Sequence, residues 1–244
     1  FKNTSLMLNT KNNIVHDNEF IGGNADNYGE NTQTYNNTFK NLNTSIITNG
    51  KNKYYNCYVE IQQTDTFAKL ENNYFENCDV NNKRDDLPME INNCTFENSN
   101  YEARGTTKVV DCTFNMVDKS IISGFKLDTT VITYNNCTIN STYTKDTKLF
   151  GHLKTIATFE NCNFNISRYT LALNYGTLTF NGCDFIFNDL NPDENPVGLN
   201  ASGYGFVKCP WYFNDCRFES NLPVDIYGGN VVNCETVGNI RIVN

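Results

Sequence analysis

The chain has 244 residues, enough for one long domain or two short ones with a sizeable core. Charged residues make up 19% and the net charge is −8, which argues against a nucleic-acid partner, because phosphate binding needs clustered Lys and Arg. No apolar run approaches the roughly 20 residues of a membrane helix, so no membrane insertion is expected.

Hydrophobic and aromatic residues reach 39% and 13%, too many for a disordered chain. About one residue in six is Asn, and long windows of Ala, Leu, Glu and Lys are missing. That composition disfavours helices and suits strands and turns, so the expected class is all-β. No secretory signal is read. The first residue is Phe1 rather than Met, which reads as a processed product or a piece of something longer.

Residues 1–33 show no clear repeat and are expected to be a cap, a degenerate coil or a linker. From YNNTFKN (35–41) onward one unit recurs, with Asn37 standing where later copies have Cys. The later copies centre on Cys57, Cys78, Cys94, Cys112, Cys137, Cys162, Cys183, Cys216 and Cys234. Three positions before each stands a large apolar or aromatic residue, as Tyr54, Phe75, Phe159 and Phe213 illustrate. Two positions after stands another, such as Val59, Phe96, Phe164 or Phe218, with Thr236 as the exception. Directly before each Cys stand Asn56, Asn77, Asn93, Asp111, Asn136, Asn161, Gly182, Asp215 and Asn233. Only Asn, Asp and Gly occur there, the residues that tolerate a left-handed backbone. A strand arrives, one residue turns left-handed, and a second strand leaves at an angle. The turn flips the strand's two-residue parity, so the aromatics on both sides and the Cys face one interior. The corner amides are expected to bond to those of the next coil. The cysteines are expected to stack in one column as reduced, buried small hydrophobes, with Cys94, Cys162 and Cys183 typical members. Cys209 lies outside the register. With two His residues and no CxxC pair, no metal site and no cofactor are expected.

The copies are 20, 21, 16, 18, 25, 25, 21, 33 and 18 residues apart. Fixed corners joined by variable loops suit a solenoid. The Asn-Cys-x-Phe corner, recurring about every 22 residues, resembles the right-handed parallel β-helix of the pectate-lyase-like superfamily, as found in phage tail spikes or fibres and microbial adhesins. The resemblance covers roughly residues 34–240. It implies a single β-helix of about ten coils over residues 34–244, and tail spikes further imply a homotrimer.

Function is then expected on outward faces and loops. In chain order, carboxylates able to serve glycoside hydrolysis are Asp85, Asp86, Asp118, Asp128 and Asp146. The order Asp85-Asp86, Gly151-His152-Leu153, Arg241-Ile242-Val243 echoes β-helical polygalacturonases, but the NTD motif is missing and the last two motifs are incomplete. Tyr143 stands in a long interval that is able to wall a groove. The longest interval holds residues 188–205, expected to project from the rod. It carries Asp193 and Glu194, with Tyr204 and Tyr212 at its exit, as hydroxyl-binding groups beside an aromatic platform. Trp211, five residues before Cys216, is in phase with Leu178 and Ile132 and is expected in the core. The favoured expectation is an extracellular recognition rod, at a virion or cell surface, that binds a cell-surface polysaccharide or glycan. The alternatives are a polysaccharide-degrading hydrolase or lyase with groove carboxylates, and a structural spacer.

Overall fold

The computed structural model describes residues 1–27, 32–43, 50–61, 68–82, 88–117, 122–124, 130–142, 150–152, 155–166, 170–171, 177–188, 197–200, 211–227 and 229–243. Among them every regular element is a strand, and the strand pairings are parallel. The chain is a parallel β-solenoid, as its corners imply.

Three faces run along it. The long sheet stacks Lys2–Leu8, Glu19–Asn27, Thr38–Lys40, Lys53–Tyr55, Tyr74–Glu76, Thr95–Glu97, Thr113–Val117, Thr138–Thr142, Asn163–Ile166, Asp184–Phe187, Arg217–Tyr227 and Glu235–Val243. An eight-stranded sheet runs from Ala68–Glu71 through Met89–Asn92, Thr106–Val110, Val131–Asn135, Ile156–Glu160 and Thr177–Asn181 to Trp211–Asn214 and Asn230–Val232. A third, five-stranded sheet runs from Tyr58–Ile61 to Phe150–His152.

Turns with a strand on all three faces begin with Lys53–Tyr55, Tyr58–Ile61 and Ala68–Glu71 and end with Asp184–Phe187, Val197–Asn200 and Trp211–Asn214. They number about seven, against the ten aligned copies, since strands on all three faces are described only between Lys53 and Asn214. Residues 1–27 stack on the same long sheet, with Ile21 opposite Lys2 and Phe20 opposite Phe39. Within the 188–205 segment, Val197–Asn200 pairs with Val224–Tyr227 as part of the coil wall. The remainder of that segment beyond Asn188 lies outside the described residues.

The corners match the sequence reading. Asn56, Asn77, Asn93, Asp111, Asn136, Asn161, Gly182, Asp215 and Asn233 all have φ between 49° and 58°. Side-chain amides link successive corners: Asn93 Nδ2 donates to Asn72 Oδ1 at 2.6 Å, Asn98 Nδ2 to Asn77 Oδ1 at 2.7 Å, and Asn136 Nδ2 to Asp111 Oδ1 at 2.5 Å. A second amide ladder, Asn165 to Asn140 to Asn115, runs along the outside of the long sheet with 2.7 Å bonds.

Inside, identical rungs stack identical residues. On the long sheet Phe20, Phe39, Tyr54, Phe75, Phe96 and Phe114 form one column with ring centroids 4.7–5.1 Å apart. On the eight-stranded sheet Tyr134, Phe159, Phe180 and Phe213 form another at 4.4–5.0 Å. The two columns meet edge-on, with Phe114 against Tyr134 at 73°, so both offset-stacked and edge-to-face contacts are used. Trp211 is buried opposite Leu178, in the expected core column.

One expectation is corrected. The nine cysteines do not share a column. The first three three-sided turns each have two left-handed corners, at Lys51 and Asn56, Asn72 and Asn77, and Asn93 and Asn98, and the repeated cysteine motif occurs at either kind. Cys57 and Cys78 sit at the corner where the long sheet passes into the five-stranded sheet. Cys57 N donates to Cys78 Sγ and Cys78 N to Ser99 Oγ. The other seven sit where the eight-stranded sheet passes into the long sheet, and there the column begins with amides. Asn37 N donates to Asn52 Oδ1, Asn52 N to Asn73 Oδ1 and Asn73 N to Cys94 Sγ. Asn37 does occupy this column, but its next member is Asn52 and not Cys57. The 16-residue step from Cys78 to Cys94 is thus a passage from one corner to the other within a turn. All nine described cysteines are free thiols. Sulfur contacts with Cys137 and Cys94, then burial, hold the Cys112 thiol far above the ordinary thiol range. Cys209 lies outside the described residues.

Candidate functional site

Outward positions on the eight-stranded sheet follow from strand parity. Residues four before each corner Cys point away from the core, and the parallel register aligns them. Lys69, Glu90, Lys108, Thr133, Thr158, Thr179, Tyr212 and Asn230 form one such file. Its first three members are charged, and Lys69 Nζ bonds Glu71 at 2.5 Å and reaches Glu90 at 3.8 Å. From Thr133 to Asn230 the file carries no charge.

Beside it lie Val131 and Ile156, 40% and 53% exposed, followed by Thr177. On the other side lie Asn135, Glu160, Asn181 and Asn214. These amides are engaged with their neighbours: Asn135 Nδ2 donates to Glu160 Oε2 at 3.2 Å and Asn214 Nδ2 to Asn181 Oδ1 at 2.9 Å. The hydroxyls of Thr133, Thr158, Thr179 and Tyr212 make no side-chain hydrogen bond among the described residues. The Tyr212 ring, 38% exposed, sits at one end of the file. The arrangement is a flat patch with a hydroxyl on each rung, spaced at the roughly 4.8 Å of neighbouring strands, and one aromatic face.

Chemically, such a patch can hydrogen-bond a polyhydroxylated ligand and stack one ring of it. Among the described residues it holds no paired carboxylates. Of the residues singled out from sequence, only Tyr212 belongs to it. Asp85, Asp86, Asp118, Asp128 and Asp146, and likewise Tyr143, Asp193, Glu194 and Tyr204, lie outside the described residues, so no carboxylate pair among them is placed. Arg241, third in the polygalacturonase-like order, is committed to an ion pair: its Nε and Nη2 donate to the two carboxylate oxygens of buried Asp225 at 2.8 and 2.5 Å. The threonine file was missed in the sequence, although its signal was present as Thr, Thr, Thr, Tyr at the fourth position before Cys137, Cys162, Cys183 and Cys216.

A separate acidic surface lies near the opposite end. Tyr58 donates to Glu60 Oε1 at 2.8 Å and Tyr74 to Glu76 Oε2 at 2.9 Å. Burial, and then the hydrogen bond to the neighbouring carboxylate, push both phenols up to about 12. No three His, Cys, Asp or Glu side chains converge on a metal-sized site among the described residues, and no described helix is long and apolar enough to cross a membrane.

No family model, no curated protein and no solved structure matches this chain.

Proposed function

We propose that this protein is an extracellular recognition module. It is a rigid, right-handed β-helical rod of the pectate-lyase-like kind, part of a phage tail spike or fibre or of a microbial adhesin, and it binds a cell-surface polysaccharide or glycan. The observation that carries the reading is the uncharged file of unspent hydroxyls, Thr133, Thr158 and Thr179, ending at the exposed ring of Tyr212. Sugar hydroxyls are donors and acceptors that match threonine hydroxyls, and the apolar face of a pyranose ring packs on an aromatic ring. A stacked solenoid holds these groups without ordering any loop, so little conformational entropy is lost on binding.

The test is to incubate the protein with a panel of bacterial surface polysaccharides and follow both by size-exclusion chromatography. Co-elution with one polymer at unchanged polymer length is expected. Tyr212→Ala is expected to weaken that binding at least tenfold while leaving the melting temperature within a degree or two, because an exposed side chain contributes little to stability. Shortening of a polymer overturns the binding-only reading in favour of hydrolysis or lysis. Binding that survives Tyr212→Ala and Thr158→Lys moves the site off this face.

A further inference from the structure

The column of seven thiols is independent of the glycan reading, and its spacing points to a ligand. Its last two members are Cys216, 2% exposed, and Cys234, half-buried. They sit on adjacent rungs, since the residues that follow them, Arg217 and Glu235, are register partners. Cys216 N donates to Cys234 Sγ at 3.3 Å. Cys216 Sγ lies 3.3 Å from the Asn214 carbonyl and 3.4 Å from that of Phe180, and Cys234 Sγ lies 3.3 Å from Val232 O and 3.4 Å from Phe213 O. The sulfurs are therefore held in repeating positions, one per strand.

Neighbouring strands are about 4.8 Å apart. A disulfide needs sulfurs about 2.0 Å apart and Cβ atoms about 3.5–4.5 Å apart, so the rungs are too widely spaced for direct sulfur–sulfur bonds without backbone movement. A linear sulfur–metal–sulfur bridge, with two bonds of about 2.3 Å each, spans about 4.6 Å and fits one rung. A file of ligands does not converge tetrahedrally, which excludes four-coordinate zinc. Thiolates select soft ions.

We propose that Cys216 and Cys234 form a two-coordinate site for a soft monovalent cation of the copper(I) or silver(I) kind. Two thiols and one cation give a bis-thiolate complex of net charge −1, and two protons leave to solvent. Both sulfur–hydrogen bonds break, two sulfur–metal bonds form, and no electron is transferred. The end pair takes the ion, rather than the fully buried pairs further in, because Cys234 is reached by solvent and its surroundings solvate the extra charge.

The experiment uses the full chain carrying Cys209→Ser and titrates it with silver nitrate against a competing thiol, glutathione. Native mass spectrometry reads the stoichiometry, and a pH-stat in a parallel titration without glutathione, whose own thiol also releases a proton to silver, reads the protons released. Expected are one tightly held ion and two protons per chain. Cys234→Ser should weaken binding at least a hundredfold, and Cys94→Ser should leave it unchanged. Serine is structurally acceptable in these columns, since Ser99 Oγ already takes the thiol position above Cys78 at 2.9 Å, and circular dichroism checks that each variant folds. Binding no tighter than that of glutathione overturns the proposal, as does binding indifferent to Cys234→Ser, release of fewer than two protons, or equally tight binding of zinc(II).

Discussion

Truncating Phe164 to alanine tests whether the aromatic columns are the structural spine. Phe164 is fully buried. Its ring stacks on Phe185 at 4.6 Å and 5°, and meets Phe159 and Phe180 edge-on at 5.5 and 5.6 Å. A buried phenylalanine removes about 150–250 Å² from water, worth about 4–6 kcal/mol at ~25 cal/mol per Å². Alanine keeps a minor part of that. The rungs above and below are held by parallel ladders, so the cavity collapses poorly, and the observed range for such truncations is about 3–5 kcal/mol. Urea denaturation followed by far-UV circular dichroism measures the loss. Thr113→Ala, on the outward side of the same sheet, serves as a control expected within about 0.5 kcal/mol. A loss below about 1 kcal/mol for Phe164→Ala would refute the inward register of the whole column.

Asn161→Val should destabilise by about 1–3 kcal/mol, because a β-branched residue resists the φ of 52° held there; an unchanged urea midpoint would remove the left-handed corner from the argument. Asn52→Leu should cost about 1–3 kcal/mol for each polar group left buried without a partner. The Asn37 backbone N–H donates to Asn52 Oδ1 at 2.8 Å, and Asn52 Nδ2 donates to the Thr34 carbonyl at 3.0 Å. Asn52→Cys should cost less, since thiols fill the same column from Cys94 onward, and equal losses for the two variants would contradict that ladder. Alkaline stability should fall as pH rises from about 10 towards 12. Tyr58 and Tyr74 have phenols raised to about 12 in the fold, against about 10 in the unfolded chain, so their contribution is complete below pH 10 and is lost through the folded value. Absorbance at 295 nm alongside thermal melts checks this, and both phenols titrating near 10 in the native protein would contradict it.

Much of the architecture was readable because it rests on local rules. Asn93 before Cys94 and Asp111 before Cys112 declare a left-handed residue, since other side chains resist that conformation. The parity flip at such a corner then fixes which neighbours face inward, and Phe159, Phe164, Phe180 and Phe185 are all buried as expected. Trp211 followed from the same phase. The outward threonine file obeys the same parity, but a threonine on a solvated strand face is common, so its local sequence carries no sign that the hydroxyls align until the register stacks them. Most candidate carboxylates and tyrosines stood in the variable intervals, whose composition carries no pairing rule.

The sequence by itself determined that the chain is all-β, that it coils, and which residues line its interior, because a left-handed corner and strand alternation are decided within about six residues. Only the tertiary structure decided which corner each copy serves. The sequence around Cys78 and that around Cys94 specify the same bend, and nothing local separates a passage from the long sheet into the third face from a passage out of the eight-stranded sheet. The distinction comes from pairing between residues about 20 positions apart, Tyr74 with Thr95 and Ile91 with Leu70. That pairing splits the cysteines into two columns, sets Asn37, Asn52 and Asn73 beneath the thiols, and gathers Thr133, Thr158, Thr179 and Tyr212 onto one face.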